Sequence, residues 1–130
     1  MTVYLDASAL VKLVAPEAES DAMASFVADH RSQSTSVVGF VEVRRAAGRR
    51  PGVTEARVDD VLARVIGIAF EPALAAVAAT IEPAALRTLD AIHLASAAAL
   101  GSDLEAFVTY DRRLADAARA LGMPVASPGA

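Results

Sequence analysis

The sequence predicts an α/β domain, a three-layer α/β/α sandwich around a mostly parallel central sheet. Three observations point there. Short apolar runs bounded by turn residues alternate with stretches of helical periodicity from one end of the chain to the other, and strands separated by helices must pair in parallel. Helices that return the chain for parallel pairing, by right-handed crossovers, cover the faces of the sheet. The length of 130 residues is that of one domain, with no internal repeat, linker-like Gly/Ser tract or charged tail, so residues 1–130 read as a single unit. A chain of this size buries about two-thirds of the surface its unfolded form exposes, enough to fold without disulfides or structural metal.

The elements follow in order. Thr2–Leu5 reads as a short buried strand, and a helix from Ser8 to about Val14 is ended by Pro16. Glu17–His30 reads as a second helix and Gln33–Ser36 as a second strand. Val37, Phe40, Val41 and Ala47 keep helical spacing over Val37–Ala47, until Gly48–Gly52 breaks it. Thr54 is an N-cap for a helix over Glu55–Val65, and Ile66–Phe70 is a third strand. Pro72 opens Ala73–Thr80, and Thr88 caps Leu89–Leu100. Ala106–Thr109 is a strand, Asp111–Leu121 a helix and Pro124–Ala126 a last strand.

Composition removes several classes of function. There is no cysteine, which excludes disulfide frameworks, thiolate zinc sites, iron–sulfur clusters and cysteine nucleophiles, and fits a reducing cytoplasm. Apolar residues make up 55% of the chain, yet the longest uncharged run, Ala91–Ser102, contains His93 and falls short of the roughly 20 residues a spanning helix needs. The start, MTVYLDAS, lacks a basic region and puts Asp6 where a signal peptide is apolar. A cytoplasmic protein with no membrane segment is expected. The net charge of −4 argues against coating nucleic acid by bulk electrostatics, so any such contact must be local. Lys12 is the single lysine, which leaves Schiff-base and lysine-base chemistry almost no candidate.

The acids are the informative residues. Asp6 directly follows the first strand, Asp111 lies just past Ala106–Thr109, and Asp90 begins a helix; in open α/β sheets, sites form outside the carboxyl ends of strands. Glu42 sits inside the apolar segment SVVGFVEVRRAAG, and a carboxylate beside such a run must have compensation, which a divalent cation can supply. Each acid alone also has a plain role. Asp6 and Asp111 can be N-caps, Asp90 a first-turn residue favoured by the helix dipole, and Glu42 the partner of Arg45 at i+3.

Taken together, YLDASALVKL, VEVRRA, LRTLDAIHLASA and FVTYDRRLADAA resemble the PIN-domain ribonucleases, and within them the VapC-type toxins of bacterial toxin–antitoxin pairs. The resemblance covers nearly the whole chain, with four motifs in order. It implies a PIN-like fold and an acidic catalytic centre at Asp6, Glu42, Asp90 and Asp111, with Asp6, Asp90 and Asp111 as metal ligands and Ser8 and Thr109 as the accompanying hydroxyls. It further implies an Mg²⁺- or Mn²⁺-dependent endoribonuclease, commonly dimeric. Its partner would be a small antitoxin whose disordered C-terminal segment folds on binding and inserts Arg or Lys among the acids.

Charge gives a reason for four acids: their carboxylates sum to about −4 and two divalent ions to about +4, near neutrality before a phosphate arrives. Metal-activated water attacking in line leaves 5′-phosphate and 3′-hydroxyl ends, unlike nucleases that use the 2′-hydroxyl and a general base. Arg44, Arg45, Arg49 and Arg50, with Arg112 and Arg113 next to Asp111, are the candidates for holding RNA phosphates; the plain alternative is solvated surface. His93 shares a helical face with Asp90 and suits an orienting or packing role, while His30 ends a helix in solvent.

Two other readings stand beside this one. Asp6 occupies the position of an aspartyl-phosphate nucleophile in dehalogenase-like or receiver domains, but Ser8 stands where the former place a second Asp and no late lysine is available. A non-catalytic binding module of the same fold is the other.

Overall fold

The computed structural model describes residues 1–130. It contains five strands and seven helices. They are β1 (Thr2–Leu5), α1 (Ala7–Val14), α2 (Ser20–Ala28), β2 (Gln33–Ser36), α3 (Val37–Gly48), α4 (Glu55–Leu62), β3 (Val65–Ile68), α5 (Pro72–Ala78), α6 (Thr88–Ala98), β4 (Leu104–Val108), α7 (Arg112–Ala120) and β5 (Val125–Ala126). All strands pair in parallel in the order β3-β2-β1-β4-β5. The chain runs outward from β1 through β2 to β3, then crosses to β4 on the other side of β1. The β1–β4 seam is therefore the switch point of the sheet, where a parallel α/β fold opens a crevice at its carboxyl edge.

Side-chain alternation along β1 explains the two cores. Val3 and Leu5 enter one cluster with Leu10, Met23, Val43, Val58, Leu62 and Val108, beneath α1–α4. Tyr4 points to the other face and packs with Leu94, Phe107, Leu114 and Met123 beneath α6 and α7. Each strand thus serves two layers, as a sheet covered on both faces requires. No helix is long and apolar enough to cross a membrane.

The expected elements are present with shifted ends. α2 starts at Ser20, not Glu17, because the Ser20 hydroxyl accepts from the Glu17 N–H at 2.9 Å and donates to the Ala15 carbonyl at 2.9 Å, which holds the preceding turn outside the helix. Val65 leaves α4 to begin β3, where it pairs with Gln33, so β3 runs Val65–Ile68 and stops before Phe70. β4 starts earlier, at Leu104, opposite Thr2 of β1. Thr88 is not the cap of α6: Arg87 takes the N-cap position with extended backbone and no side-chain cap bond, its guanidinium being used elsewhere.

Candidate active site

Asp6 leaves β1 and caps α1. One carboxylate oxygen accepts from the Ala9 N–H at 2.9 Å and from the Ser8 hydroxyl at 2.6 Å, and the other accepts from Thr109 Oγ1 at 2.5 Å. Only 3% of the residue is exposed. Burial pushes its pKa above the ordinary carboxylate range, while the Ser8, Thr109 and Ala9 hydrogen bonds pull the other way.

Thr109, just past β4, ties the switch point together. It donates to Asp6 and accepts from the Asp111 N–H at 3.1 Å, and the Ser8 hydroxyl accepts the Tyr110 N–H at 2.9 Å. The ends of β1 and β4 are thereby stitched by two hydroxyls. Asp111 caps α7, accepting from the Leu114 N–H at 3.1 Å. The cap roles of Asp6 and Asp111 hold alongside any chemical one.

Asp90 and Asp111 converge on one cation. Arg87 places Nε 3.3 Å from Asp90 Oδ2 and Nη2 3.2 Å from Asp111 Oδ2. Arg87 itself is exposed, whereas the two carboxyl side chains are 16% and 29% exposed. Glu42, on α3, does not pair with Arg45. Its Oε1 lies 2.6 Å from Nε2 of His93, a buried residue of α6, because a helix turn carries Glu42 inward to α6 while Arg45 stays exposed.

The basic candidates divide. Arg44 pairs with Asp59 at 2.9 Å and Arg50 with Glu17 at 3.1 Å, so each is engaged by an acid of its own layer. Arg45, Arg49, Arg112 and Arg113 make no ion pair, and Arg112 and Arg113 open α7 beside Asp111. His30 is half-buried, not solvated, with Nδ1 2.7 Å from the Phe26 carbonyl oxygen.

The donor set suits a hard divalent cation in type and charge, since every candidate ligand is an oxygen and Asp90 and Asp111 already accommodate a positive group between them. No three Asp, Glu or His side chains stand close enough to share one ion in this arrangement. Asp6 directs its oxygens to its three donors, and Arg87 fills the space shared by Asp90 and Asp111. Arg87 has no chemical signature of its own in the sequence; its position three residues before Asp90, at the start of a helix, is the available signal.

The switch point of this parallel sheet places Asp6 directly after β1, Asp111 just past β4 and Asp90 on α6, which defines an open α/β domain with an acidic strand-end crevice. Residues 3–120 match the family model described as PIN domain. The chain is 41% identical to ribonuclease VapC47 of Mycobacterium tuberculosis over 98% of both chains. It is 43% identical to ribonuclease VapC35 of the same species, over 98% of this chain and 97% of that protein. In three dimensions it is similar to FitAcB from Neisseria gonorrhoeae, with a TM-score of 0.67 over 98% of each chain, and 15% identity limits that likeness to the fold. The chain belongs to the PIN-domain family, among its VapC ribonucleases.

Proposed function

We infer that this chain is an endoribonuclease toxin of a toxin–antitoxin pair, cutting RNA at the carboxyl edge of β1 and β4 with the help of Mg²⁺ or Mn²⁺. The observation that carries this reading is the convergence of Asp90 and Asp111 on a single positive group beside the Asp6–Thr109 bond. Asp6, Asp90 and Asp111 are the residues that would hold the metal, once Arg87 leaves Asp90 and Asp111 and the three carboxylates draw together. When bound there, a divalent ion supplies Lewis acidity and lowers the pKa of water.

The protein groups do the rest. Ser8 and Thr109 fix Asp6 so that its negative charge has one position. Glu42 has one oxygen committed to His93 and Oε2 without a protein partner, so Oε2 is the atom able to take a proton from an attacking water. Arg112 and Arg113, exposed beside Asp111, suit the flanking phosphates of a single strand. Ends carrying 5′-phosphate and 3′-hydroxyl follow from that chemistry.

Partners follow from charge and apolar surface. An antitoxin side chain bearing a positive charge can take the place of Arg87 between Asp90 and Asp111. Val37, Val41, Ile66, Phe70, Val77 and Leu89 are exposed on and around α3, β3, α5 and α6, a surface that suits burial in a homodimer. The expected location is the cytoplasm. Expression of the chain should arrest growth, Asp6→Asn or Asp90→Asn should relieve the arrest, and purified Asp111→Ala should regain part of its activity at high Mn²⁺. Full toxicity in the Asp6→Asn and Asp90→Asn variants would overturn the reading.

A further inference from the structure

The Tyr4, His93 and Glu42 side chains form a connected line through the protein, from the middle strand to the candidate site. The Ser36 N–H donates to Tyr4 Oη at 3.0 Å, Tyr4 Oη lies 2.7 Å from His93 Nδ1, and His93 Nε2 lies 2.6 Å from Glu42 Oε1. Hydrogen-bond inventory orders the protons from the Glu42 end. A backbone N–H only donates, so the phenol oxygen accepts from Ser36; an ionised Glu42 only accepts, so Nε2 donates to it, and in a neutral ring Nδ1 is left to accept the phenol proton. Nδ1 then carries the lone pair and the ring proton sits on Nε2, where an ionised Glu42, which only accepts, receives it.

We propose that His93 is a positioning residue for Glu42, locked by Tyr4 in the Nε2–H tautomer so that one carboxylate oxygen is held and the other is presented to substrate. The proposal rests on the reading of Glu42 as a site acid.

Packing fixes the geometry. Tyr4 and His93 are fully buried, the Tyr4 ring stacks on Phe107 at 5.3 Å between centroids, and the Tyr4 and His93 rings meet edge-on at 5.8 Å. Gly39, one helical turn before Glu42, leaves the imidazole its room: a Cβ there would lie 3.4 Å from His93 Cε1 and 2.5 Å from Thr35 Oγ1. Burial also pushes the Tyr4 phenol pKa up, which keeps its proton available to donate. A shell of this kind removes the rotamer freedom of a half-exposed glutamate on a helix surface, and such supporting partners are worth about 10–100-fold in activity.

The test uses the full chain labelled with ¹⁵N. With two histidines in the sequence, the ring nitrogens give two resolvable sets. His30 is an internal contrast, since its Nδ1 faces a carbonyl oxygen and must carry the proton there. At about pH 8, above the ordinary histidine range, His93 should show a pyrrole-type Nε2 and a hydrogen-bonded pyridine-type Nδ1, and Tyr4→Phe should move Nδ1 to the unbonded value. A pyrrole-type Nδ1 or an imidazolium for His93 overturns the proposal. In RNA cleavage, His93→Leu should lower kcat about 10–100-fold with little change in KM, and His93→Gln, whose amide can donate in place of Nε2, should recover part of the loss. Unchanged kcat in His93→Leu also overturns it. Should His93→Leu fail to fold, the tautomer measured in the intact protein and in Tyr4→Phe still decides. Glu42→Gln separates the two claims: full cleavage by that variant would refute Glu42 as a site acid, while its ring nitrogens report the tautomer independently of activity.

Discussion

Thr109→Val keeps the side-chain shape and deletes one oxygen at the centre of the switch point. The Thr109 hydroxyl is fully buried, donates to Asp6 at 2.5 Å and accepts from the Asp111 N–H at 3.1 Å. A hydrogen bond to a charged group is worth about 1.5–3 kcal/mol and a neutral one about 0.5–1.5 kcal/mol. Because Asp111 is half-exposed, water can replace part of the second bond, and the expected loss is about 2–4 kcal/mol at neutral pH. For a domain of this size each kcal/mol moves Tm by about 3–5 °C. The pH dependence has a definite sign. Burial raises the Asp6 pKa in the folded state and Thr109 is one of the contacts opposing that rise, so the variant leaves the carboxyl higher still. A carboxyl raised on folding binds its proton more tightly in the folded state, and its stabilising contribution is lost as pH rises through the folded pKa. The difference between wild type and Thr109→Val should therefore be largest at neutral pH and shrink in acid, where a protonated Asp6 no longer needs the donor. Urea unfolding from pH 4 to 8 measures this. A difference below about 0.5 kcal/mol, or one unchanged across that range, would refute the reasoning.

Asp6→Asn should abolish cleavage yet raise Tm at neutral pH, with the two proteins converging in acid as the wild-type carboxyl protonates; calorimetric scans at several pH values check both the direction and the convergence. Arg87→Met removes the cation that competes for Asp90 and Asp111. Exposed pairs are worth about 0–1 kcal/mol each, so Mg²⁺ affinity by titration calorimetry should rise about 2–10-fold; weaker binding would mean that Arg87 organises the site and does not occupy it. Gly39→Ala should cost about 1–3 kcal/mol through its contact with Thr35 and reduce cleavage by displacing His93, which urea unfolding and a kcat measurement test together.

Local rules carried the sequence reading wherever the cause was local. The apolar runs, the breaks at Pro16 and Gly48–Gly52, and the caps Asp6, Thr54 and Asp111 each act within a few residues, and those elements are present with those caps. Around the acids, the errors fall where a distant partner decides. Thr88 satisfies the local cap rule, but Arg87 holds the position while its side chain reaches Asp111, 24 residues away. Arg45 is the near partner for Glu42, and His93, 51 residues away, is the actual one. Tyr4 reads as one more apolar residue of a buried strand. Its hydroxyl acquires meaning once β1 and α6 are packed and an interval of 89 residues closes to 2.7 Å. Four acids in the right order are legible, and the cation that Asp90 and Asp111 share is not, because Arg87 gains its second contact only through the return of the chain in β4.

The most direct measurement is end-group analysis of RNA cut by the purified chain, with EDTA, with added Mg²⁺, and with Asp90→Asn as control. Cleavage should stop in EDTA, return with Mg²⁺, be absent in Asp90→Asn, and leave 5′-phosphate and 3′-hydroxyl ends. Cleavage that persists in EDTA, or that leaves 2′,3′-cyclic phosphate, would contradict a metal-dependent centre built from these acids.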